Sequence, residues 1–597
     1  MEKRIRIASY IIFIIFGIFL LRLWELQIIK GRLYKDISER NRIRNIYIPA
    51  PRGIIYDRNH NPLVGNVLTF DVSIEKEDIP DDPEKIDLLA ELLHINPDEI
   101  RERIERSYSP FEPIKLKQDV TFDEVAMIEA RRFDLPGVMV EAVVKREYIY
   151  GRLASHVIGY LGYPTQSQLK DPQYMDIPQT TLIGQYGIEK AYDGLLRGRP
   201  GRRMVEVGAT GRMVKVIGTE DPVKGKDITL TIDINLQKVA EESLYGKNGA
   251  IVVLDPKTGE VLAMASSPSF DPNLFATGIT RGDWLLLINN PDKPLLNRAT
   301  QGQYPPGSTF KIVSAIAGLE EGVIDEATGF VCNGGMDMGG RRFGCWRKEG
   351  HGWVDFYRAV AQSCDVYFYN VGKRLGIDRL ERYARMLGLG SPTGIEIDGE
   401  KTGVVPSTRW KIERMGSPWY GGETLNTAIG QGYLTATPLQ MARLVSAVVN
   451  GGRLYKVHLL KDTPPQIERT IDISRENEYL LRKALMGVVE NGTGRMAYSR
   501  VVRIGGKTGT AQSGARDNKD HAWFVAFAPE DDPELAVSVL IEHGGHGGAV
   551  AAPIAKGVIE AYFSPQLLLE PPTAEEKQGK DIAAISEVET HQDEIGD

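Results

Sequence analysis

One apolar run close to the N-terminus sets the conditions under which everything after it must fold. Behind Lys3, Arg4 and Arg6 the chain is apolar from Ile7 to Leu21 and continues through Leu23, Trp24 and Leu26. About 20 helical residues cross a hydrocarbon core of about 30 Å, so residues 7–26 read as a single membrane anchor. The cations before the run favour a cytoplasmic N-terminus over residues 1–6, and Trp24 suits the far interface. A cleaved signal peptide would carry a small-x-small site after the run. Arg22, Glu25 and Gln27 stand there instead, which favours an uncleaved anchor. The rest of the chain is then expected outside the cytoplasm, on the periplasmic side of the inner membrane.

At 597 residues the chain exceeds one ordinary domain. A net charge of -8 and the lack of a long basic block exclude nucleic acid as an expected partner. Residues 34–44 are polar and helical in pattern, a stalk. Ile48-Pro-Ala-Pro-Arg-Gly-Ile-Ile-Tyr-Asp-Arg-Asn59 is broken by Pro and Gly, with Ile54 to Tyr56 reading as a short strand. Between 67 and 226, helices are expected over Lys85 to Leu93 and Pro97 to Arg106, and strands over Val138 to Val144 and Arg203 to Val207. No catalytic cluster falls here, so 27–226 reads as a non-catalytic, elongated mixed α/β pedestal of dimerisation-domain type.

A second unit, 227–569, opens with strand-like alternation over Ile228 to Ile232 and with Asp233 placed to cap a helix. Ala250 to Leu254 and Glu260 to Ala265 are β-rich runs joined by Asp255-Pro-Lys-Thr-Gly259, a hairpin. Helical patterns dominate from the Ser308 region to Leu387. Strands return at Val501 to Ile504, His521 to Phe527 and Leu535 to Glu542, and a helix over Pro553 to Phe563 closes the unit. That order implies an α+β fold, an antiparallel sheet with helices packed on it. Residues 570–597 are polar and acidic and read as a disordered tail.

The chemistry centres on Gln303-Tyr-Pro-Pro-Gly-Ser-Thr-Phe-Lys311. Pro and Gly end the loop so that Ser308 falls in the first turn of a helix, with Lys311 three residues on and on the same face. A serine hydroxyl needs a base to become a nucleophile, and a desolvated lysine beside other cations can be one. Ser363-Cys-Asp365, in helical context, and Lys507-Thr-Gly-Thr510, after a strand and a Gly-Gly turn, follow in order. Ser363 is placed to hydrogen-bond Lys311 and pass a proton to a leaving amine, and Asp365 to pair with a lysine. Thr508 and Thr510, with Lys507, are candidates to bind a carboxylate, and Gly509 to let a substrate backbone approach. The N–H groups of Ser308 and Thr510 form the expected oxyanion hole. S-x-x-K, S-D-N and K-T-G in this order form the motif set of class A β-lactamases and penicillin-binding proteins.

On these motifs the sequence resembles the class B penicillin-binding proteins, and among them the elongation-type members. The resemblance also covers the anchor, Pro51 to Asn59, Gly187-Ile-Glu-Lys190, Phe270-Asp-Pro-Asn273, Ala428-Ile-Gly-Gln-Gly432, His521-Ala-Trp-Phe524 and Gly547-Gly-Ala-Val-Ala-Ala-Pro553. It implies a serine penicillin-recognising domain that cross-links peptidoglycan as a D,D-transpeptidase, with no cofactor in the acyl transfer. Ser308 then attacks the penultimate D-Ala of a stem peptide, the last D-Ala leaves, and an amine of a neighbouring stem peptide takes the acyl group. β-Lactams are expected to acylate Ser308 as mimics of D-Ala-D-Ala. The broad pattern ends its second motif in Asn; Asp365 is similar to the acidic residue of elongation-type members. No glycosyltransferase region is apparent, so the resemblance implies a RodA-type polytopic glycan polymerase as partner, with other elongation-complex membrane proteins.

Cys332, Cys345 and Cys364 are the only cysteines and share one window with His351. Three thiolates and an imidazole make a complete tetrahedral set for a structural zinc ion. The alternative is a Cys332–Cys345 disulfide with Cys364 free. Elongation-type relatives resemble this chain in holding zinc beside the active site, with aspartates among their ligands. His543 and His546, in a glycine-rich run, read as a mobile rim loop rather than a metal pair. A hydrolase on the same serine would need a placed water, for which no motif is assigned. A non-catalytic scaffold would not keep Ser308, Lys311, Ser363, Lys507 and Gly509 together.

Overall fold

The computed structural model describes residues 2–32, 43–75, 83–106, 113–175, 177–178, 180–208, 213–512 and 519–564. The N-terminal helix Glu2–Trp24 runs on into a π-helical turn, Glu25–Ile29. Ser9–Ile29, 21 residues of mean hydropathy 2.1, is long and apolar enough to cross a membrane and buries nothing against the rest of the chain. The expected stalk lies largely outside the described residues. Where the chain is described again it is strand, not helix, over Ile43–Ile48.

That strand pairs with Gly201–Val207, which pairs with Met213–Glu220, in a three-stranded sheet. A second sheet is built on the long strand Pro62–Ile74, flanked by Ile114–Val120 and Val138–Tyr148. Helices Pro83–Leu93, Pro97–Arg106 and Phe122–Ala130 pack on it around Val72, Ile74, Leu89, Leu93, Ile100 and Leu116. The last of these starts in a reciprocal capping box between Thr121 and Glu124, which satisfies two otherwise orphan N–H groups.

The Pro51 to Asn59 and Gly187 to Lys190 motifs meet in a buried ion cluster. Glu189 accepts from Arg52 and from Arg146 at 2.7 Å each, and Asp193 lies 3.0 Å from Arg52. Burial of these charges is tolerable only because each has a partner. The expected strand at Ile228 to Ile232 shortens to Ile228–Thr229, the two residues that pair in parallel with Ile55–Tyr56 of the pedestal sheet, and Leu230 adds an isolated bridge to Leu460. The start of the second unit is thereby stitched into the first.

The second unit is built on a five-stranded antiparallel sheet in the order Val261–Ser267, Gly249–Leu254, Leu535–Ile541, His521–Ala528, Gly505–Ala511. The two central strands are buried along nearly their whole length, since helices cover both faces. Asp233 caps Ile234–Ser243, accepting from the N–H groups of Asn235 and Leu236. That helix and Gly547–Phe563 lie on one face. The latter starts six residues before the expected Pro553, which sits inside the helix. On the other face pack Lys311–Glu320, Asp365–Leu375, Pro438–Val449 and Arg475–Glu490.

Two expectations change here. The predicted strand over Val501 to Ile504 is displaced to Gly505–Ala511, where Gly505 and Gly506 pair with Phe527 and Ala526 instead of turning. The helical stretch is interrupted by two small hairpins, Phe330–Cys332 with Gly352–Val354 and Gly335–Met338 with Arg341–Gly344.

Candidate active site

Ser308 stands half-buried in a tight turn, Gly307–Phe310, that leads directly into the helix Lys311–Glu320. The turn is fastened from several sides. Gly307 N–H donates to Gly430 O at 2.9 Å, and the Trp523 indole donates to Pro305 O at 3.0 Å. The Tyr304 hydroxyl donates to Glu542 at 2.6 Å, and Arg298 lies 3.1 Å from the same carboxylate.

Lys311 is almost fully buried. Its amine donates to Asp365 Oδ1 at 2.7 Å, to Ser363 O at 2.9 Å and to Ser363 Oγ at 3.2 Å. Lys507, on the edge strand, is fully buried and donates to the same Ser363 Oγ at 2.8 Å and to Thr508 O at 3.2 Å. Burial pushes the Lys507 pKa well down, the charge of Lys311 lowers it further, and Asp365 opposes both. A hydroxyl accepts two hydrogen bonds and donates one. With both lone pairs of Ser363 facing lysine amines, its hydrogen is left to be donated elsewhere.

Ser363 is not in a helix, as its surroundings predict. It occupies the joint between Phe356–Ala361 and Asp365–Leu375 with φ +55°, a left-handed conformation uncommon for serine. The kink turns its hydroxyl toward two amines supplied by elements 52 and 144 residues away in sequence. Asp365, the first residue of the next helix, is held at both oxygens, since Trp346 N–H donates to Oδ2 at 2.9 Å.

Along Gly505–Ala511 the side chains alternate. Thr508 faces away from Lys507, is buried, and shares a hydrogen bond with Thr493 at 2.6 Å; Thr510 is half-buried. A Cβ on Gly509 would lie 2.9 Å from Pro306 O and from Thr309 Cγ2. The glycine is therefore required by packing of the strand against the nucleophile turn, a constraint separate from the expected substrate approach. Gln431 Nε2 donates to Thr510 O at 3.3 Å on the strand's open edge. In an antiparallel strand the N–H and C=O of one residue point to the same side, so Thr510 N–H also faces that edge. Gln431, Thr493, Trp346 and Tyr304 carry no signal of their own in spacing or residue type.

Cys332, Cys345, His351 and Cys364 converge. All four are buried, their ligand atoms lie within 4.8 Å of one another, and the three thiols are free. Cys332 Sγ and Cys345 Sγ stand 3.6 and 3.5 Å from His351 Nδ1. Cys364 separates Ser363 from Asp365, and Cys345 precedes Trp346, so the cluster borders the catalytic hydrogen bonds on two sides. His543 and His546 are exposed, and neither belongs to a metal-ligating group among the described residues.

The Ser308 turn, the Ser363 hydroxyl held between two buried lysine amines and an open sheet edge are the arrangement expected of a penicillin-recognising serine acyltransferase. Residues 249–560 match the penicillin binding protein transpeptidase domain and 47–230 the penicillin-binding protein dimerisation domain, and the chain belongs to this family. Within it the similarity is to the elongation-type penicillin-binding protein 2. The peptidoglycan D,D-transpeptidase MrdA of Acinetobacter baumannii is 38% identical over 566 residues, covering 90% of this chain and 84% of that one. Penicillin-binding protein 2 of Helicobacter pylori, in its complex with MreC, superposes with a TM-score of 0.78 at 31% identity, covering 87% of this chain and 99% of that one. A chain of a peptidoglycan synthase complex that coordinates polymerization and crosslinking gives a TM-score of 0.73 at 34% identity, covering 95% and 99%.

Proposed function

We propose that this chain is a membrane-anchored D,D-transpeptidase that cross-links peptidoglycan stem peptides during cell elongation through an acyl-enzyme on Ser308. The observation that carries the reading is the Ser363 hydroxyl held between the amines of Lys311 and Lys507 beside the Ser308 turn. Lys311 acts as the base: its amine takes the proton of the Ser308 hydroxyl while Asp365 and Ser363 hold its other hydrogens. Ser308 Oγ adds to the carbonyl of the penultimate D-Ala, and its proton passes to Lys311. The N–H groups of Ser308 and Thr510 stabilise the oxyanion. The proton then moves from Lys311 through Ser363 to the departing nitrogen as the C–N bond breaks. The acceptor amine reverses these steps, giving its proton to the relay as it displaces Ser308. Thr510 receives the terminal carboxylate, and the donor strand pairs along the open edge of Gly505–Ala511. β-Lactams enter by the same route.

The cations before the anchor support an outward-facing catalytic unit. Exposed Ile43, Tyr47, Val214 and Val216 on the three-stranded sheet support contact with a RodA-type polymerase and other elongation-complex membrane proteins. The Cys/His set fits a structural zinc ion. Tetrahedral bonds of about 2.3 Å to sulfur and about 2.0 Å to nitrogen put those atoms roughly 3.6 Å apart, and the observed separations are 3.5 and 3.6 Å. Cys332, Cys345, His351 and Cys364 would hold the ion, which would cross-link the small hairpins to the Ser363 joint.

Intact-protein mass after incubation with a fluorescent penicillin tests the function, for wild type and Ser308→Ala. A stable adduct in wild type alone is expected. Drug consumption with a rapidly lost adduct would mark a hydrolase instead, and no adduct in either protein would overturn the catalytic reading.

A further inference from the structure

The relay leaves unused one buried cation close to the nucleophile. Lys411, on the helix Thr408–Met415, is 3% exposed and touches none of the reacting groups. Its amine is ion-paired with Glu423 and lies 4.6 Å from the ring centre of Tyr420, 5.8 Å from Trp419 and 5.9 Å from Tyr433. An ammonium withdrawn from water is retained only where carboxylate and ring faces replace its hydration, so its value lies in what it holds together.

Glu423 is the joint of this knot. One carboxylate oxygen takes Lys411 and, at 3.3 Å, the Tyr433 hydroxyl; the other takes Tyr420 N–H at 2.8 Å. The indole of Trp419 closes the loop by donating to Thr424 Oγ1 at 2.8 Å. Glu423 is in the helix Gly421–Ala428, and the segment between that helix and Tyr433 is Ile429 to Gly432. Glu423 therefore touches both flanks of the segment, anchoring the preceding helix through Lys411 and holding Tyr433 through a hydrogen bond.

That segment touches both halves of the oxyanion hole. Gly430 O accepts from Gly307 N–H at 2.9 Å, one peptide before Ser308, and Gln431 donates to Thr510 O at 3.3 Å. The approach is close enough that a Cβ on Gly430, at φ +77°, would lie 2.0 Å from Gly307 O. Residues 429–432 are thus one of the contacts that fix the spacing of the Ser308 and Thr510 N–H groups, beside the direct packing of the turn on the strand at Gly307 and Gly509.

We propose that Lys411 is a positioning residue for the oxyanion hole, acting through Glu423 and Tyr433 on the Ile429 to Gly432 segment; this rests on the acyl-enzyme reading above. Oxyanion donors act within a narrow distance of the charge that develops in the transition state and gain less from the ground-state carbonyl. Loosening the segment should therefore slow acylation without weakening the initial complex.

The test uses the full chain in detergent, a chromogenic cephalosporin, and a boronic acid that forms a tetrahedral adduct with Ser308. Lys411→Met is expected to lower the acylation rate constant about tenfold or more, to weaken the boronate in the same proportion, and to leave the pre-acylation dissociation constant within about twofold. Lys411→Arg, which keeps the pair with Glu423, is expected to restore most of the rate. Tyr433→Phe, which removes one hydrogen bond and leaves the packing, is expected to slow acylation about threefold and serves if the Met variant does not fold. In Lys411→Met/Glu423→Leu an apolar pair replaces the ions, and melting temperature should recover while acylation stays slow. Acylation that recovers together with melting temperature, or Lys411→Met and Tyr433→Phe reacting and binding boronate like wild type, would overturn this role and leave the catalytic reading intact. A wild type that is not acylated would overturn both.

Discussion

Replacing Ser363 separates backbone strain from proton chemistry. Ser363→Ala removes the hydroxyl that accepts from Lys507 at 2.8 Å and from Lys311 at 3.2 Å. Lys311 keeps Asp365 and the Ser363 carbonyl, but Lys507, fully buried, keeps only Thr508 O at 3.2 Å. Leaving a buried amine that poorly satisfied costs about 1–3 kcal/mol. Alanine also retains the left-handed φ of +55°. Glycine at the same position removes the same hydroxyl and relieves about 1 kcal/mol of strain, part of which is returned as unfolded-state entropy. Ser363→Gly is therefore expected to melt above Ser363→Ala. Both are expected to lose roughly 10²- to 10⁴-fold in acylation, the usual contribution of a positioned proton-transfer group. The assay is thermal unfolding of the full chain paired with stopped-flow acylation by a chromogenic cephalosporin. The reasoning is refuted if the two variants melt alike but differ in acylation, or if either acylates at the wild-type rate.

Burial pushes the His156 pKa from 6.5 to about 4, at a site where Nε2 lies 2.8 Å from Pro294 O. Between those values the unfolded chain binds a proton that the folded chain does not, so this group makes stability rise with pH from about 4 to 6.5 and costs about 3 kcal/mol below that window. His156→Gln should flatten the acid side of a plot of melting temperature against pH. Glu241 works in the opposite direction: burial raises its pKa to about 7, so its contribution is present below pH 4.5 and is lost as pH rises to about 7, and Glu241→Gln should remove that slope. Purified protein should carry about one zinc per chain by elemental mass spectrometry, and Cys364→Ser should lower both the metal content and the melting temperature. Glu189→Leu would take the carboxylate from buried Arg146 and leave Arg52 with Asp193 alone, and should cost about 3–5 kcal/mol in denaturant unfolding. Acylation per folded molecule should remain, because the cluster touches no catalytic group.

Local signals in the sequence were read where the physics is local. The anchor follows from length and hydropathy, the Asp233 cap from one side chain and the two N–H groups next to it, and the hairpin from Asp255 to Gly259 between two β-rich runs. Boundaries slipped where a distant partner decides them. Gly505 and Gly506 look like a turn until Phe527 and Ala526 pair with them, and Ile228 to Ile232 is strand only where Ile55 and Tyr56 of the other unit pair with it.

The sequence by itself determined the Ser308 turn, the order of the three motifs and the single window that holds the three cysteines and His351, because each rests on residue types at short separation. Only the tertiary structure decided how they act together. The Ser363 hydroxyl reaches Lys311 and Lys507 across 52 and 144 residues, and its orientation depends on a left-handed joint that no spacing rule encodes. Gly509 was legible as a place for close approach, but only packing shows that the nearest neighbour is the chain's own Pro306. The Lys411–Glu423 pair was invisible for the same reason. A lysine and a glutamate on separate helices are ordinary surface residues until folding buries them under three aromatic rings and ties them to the walls of the active site.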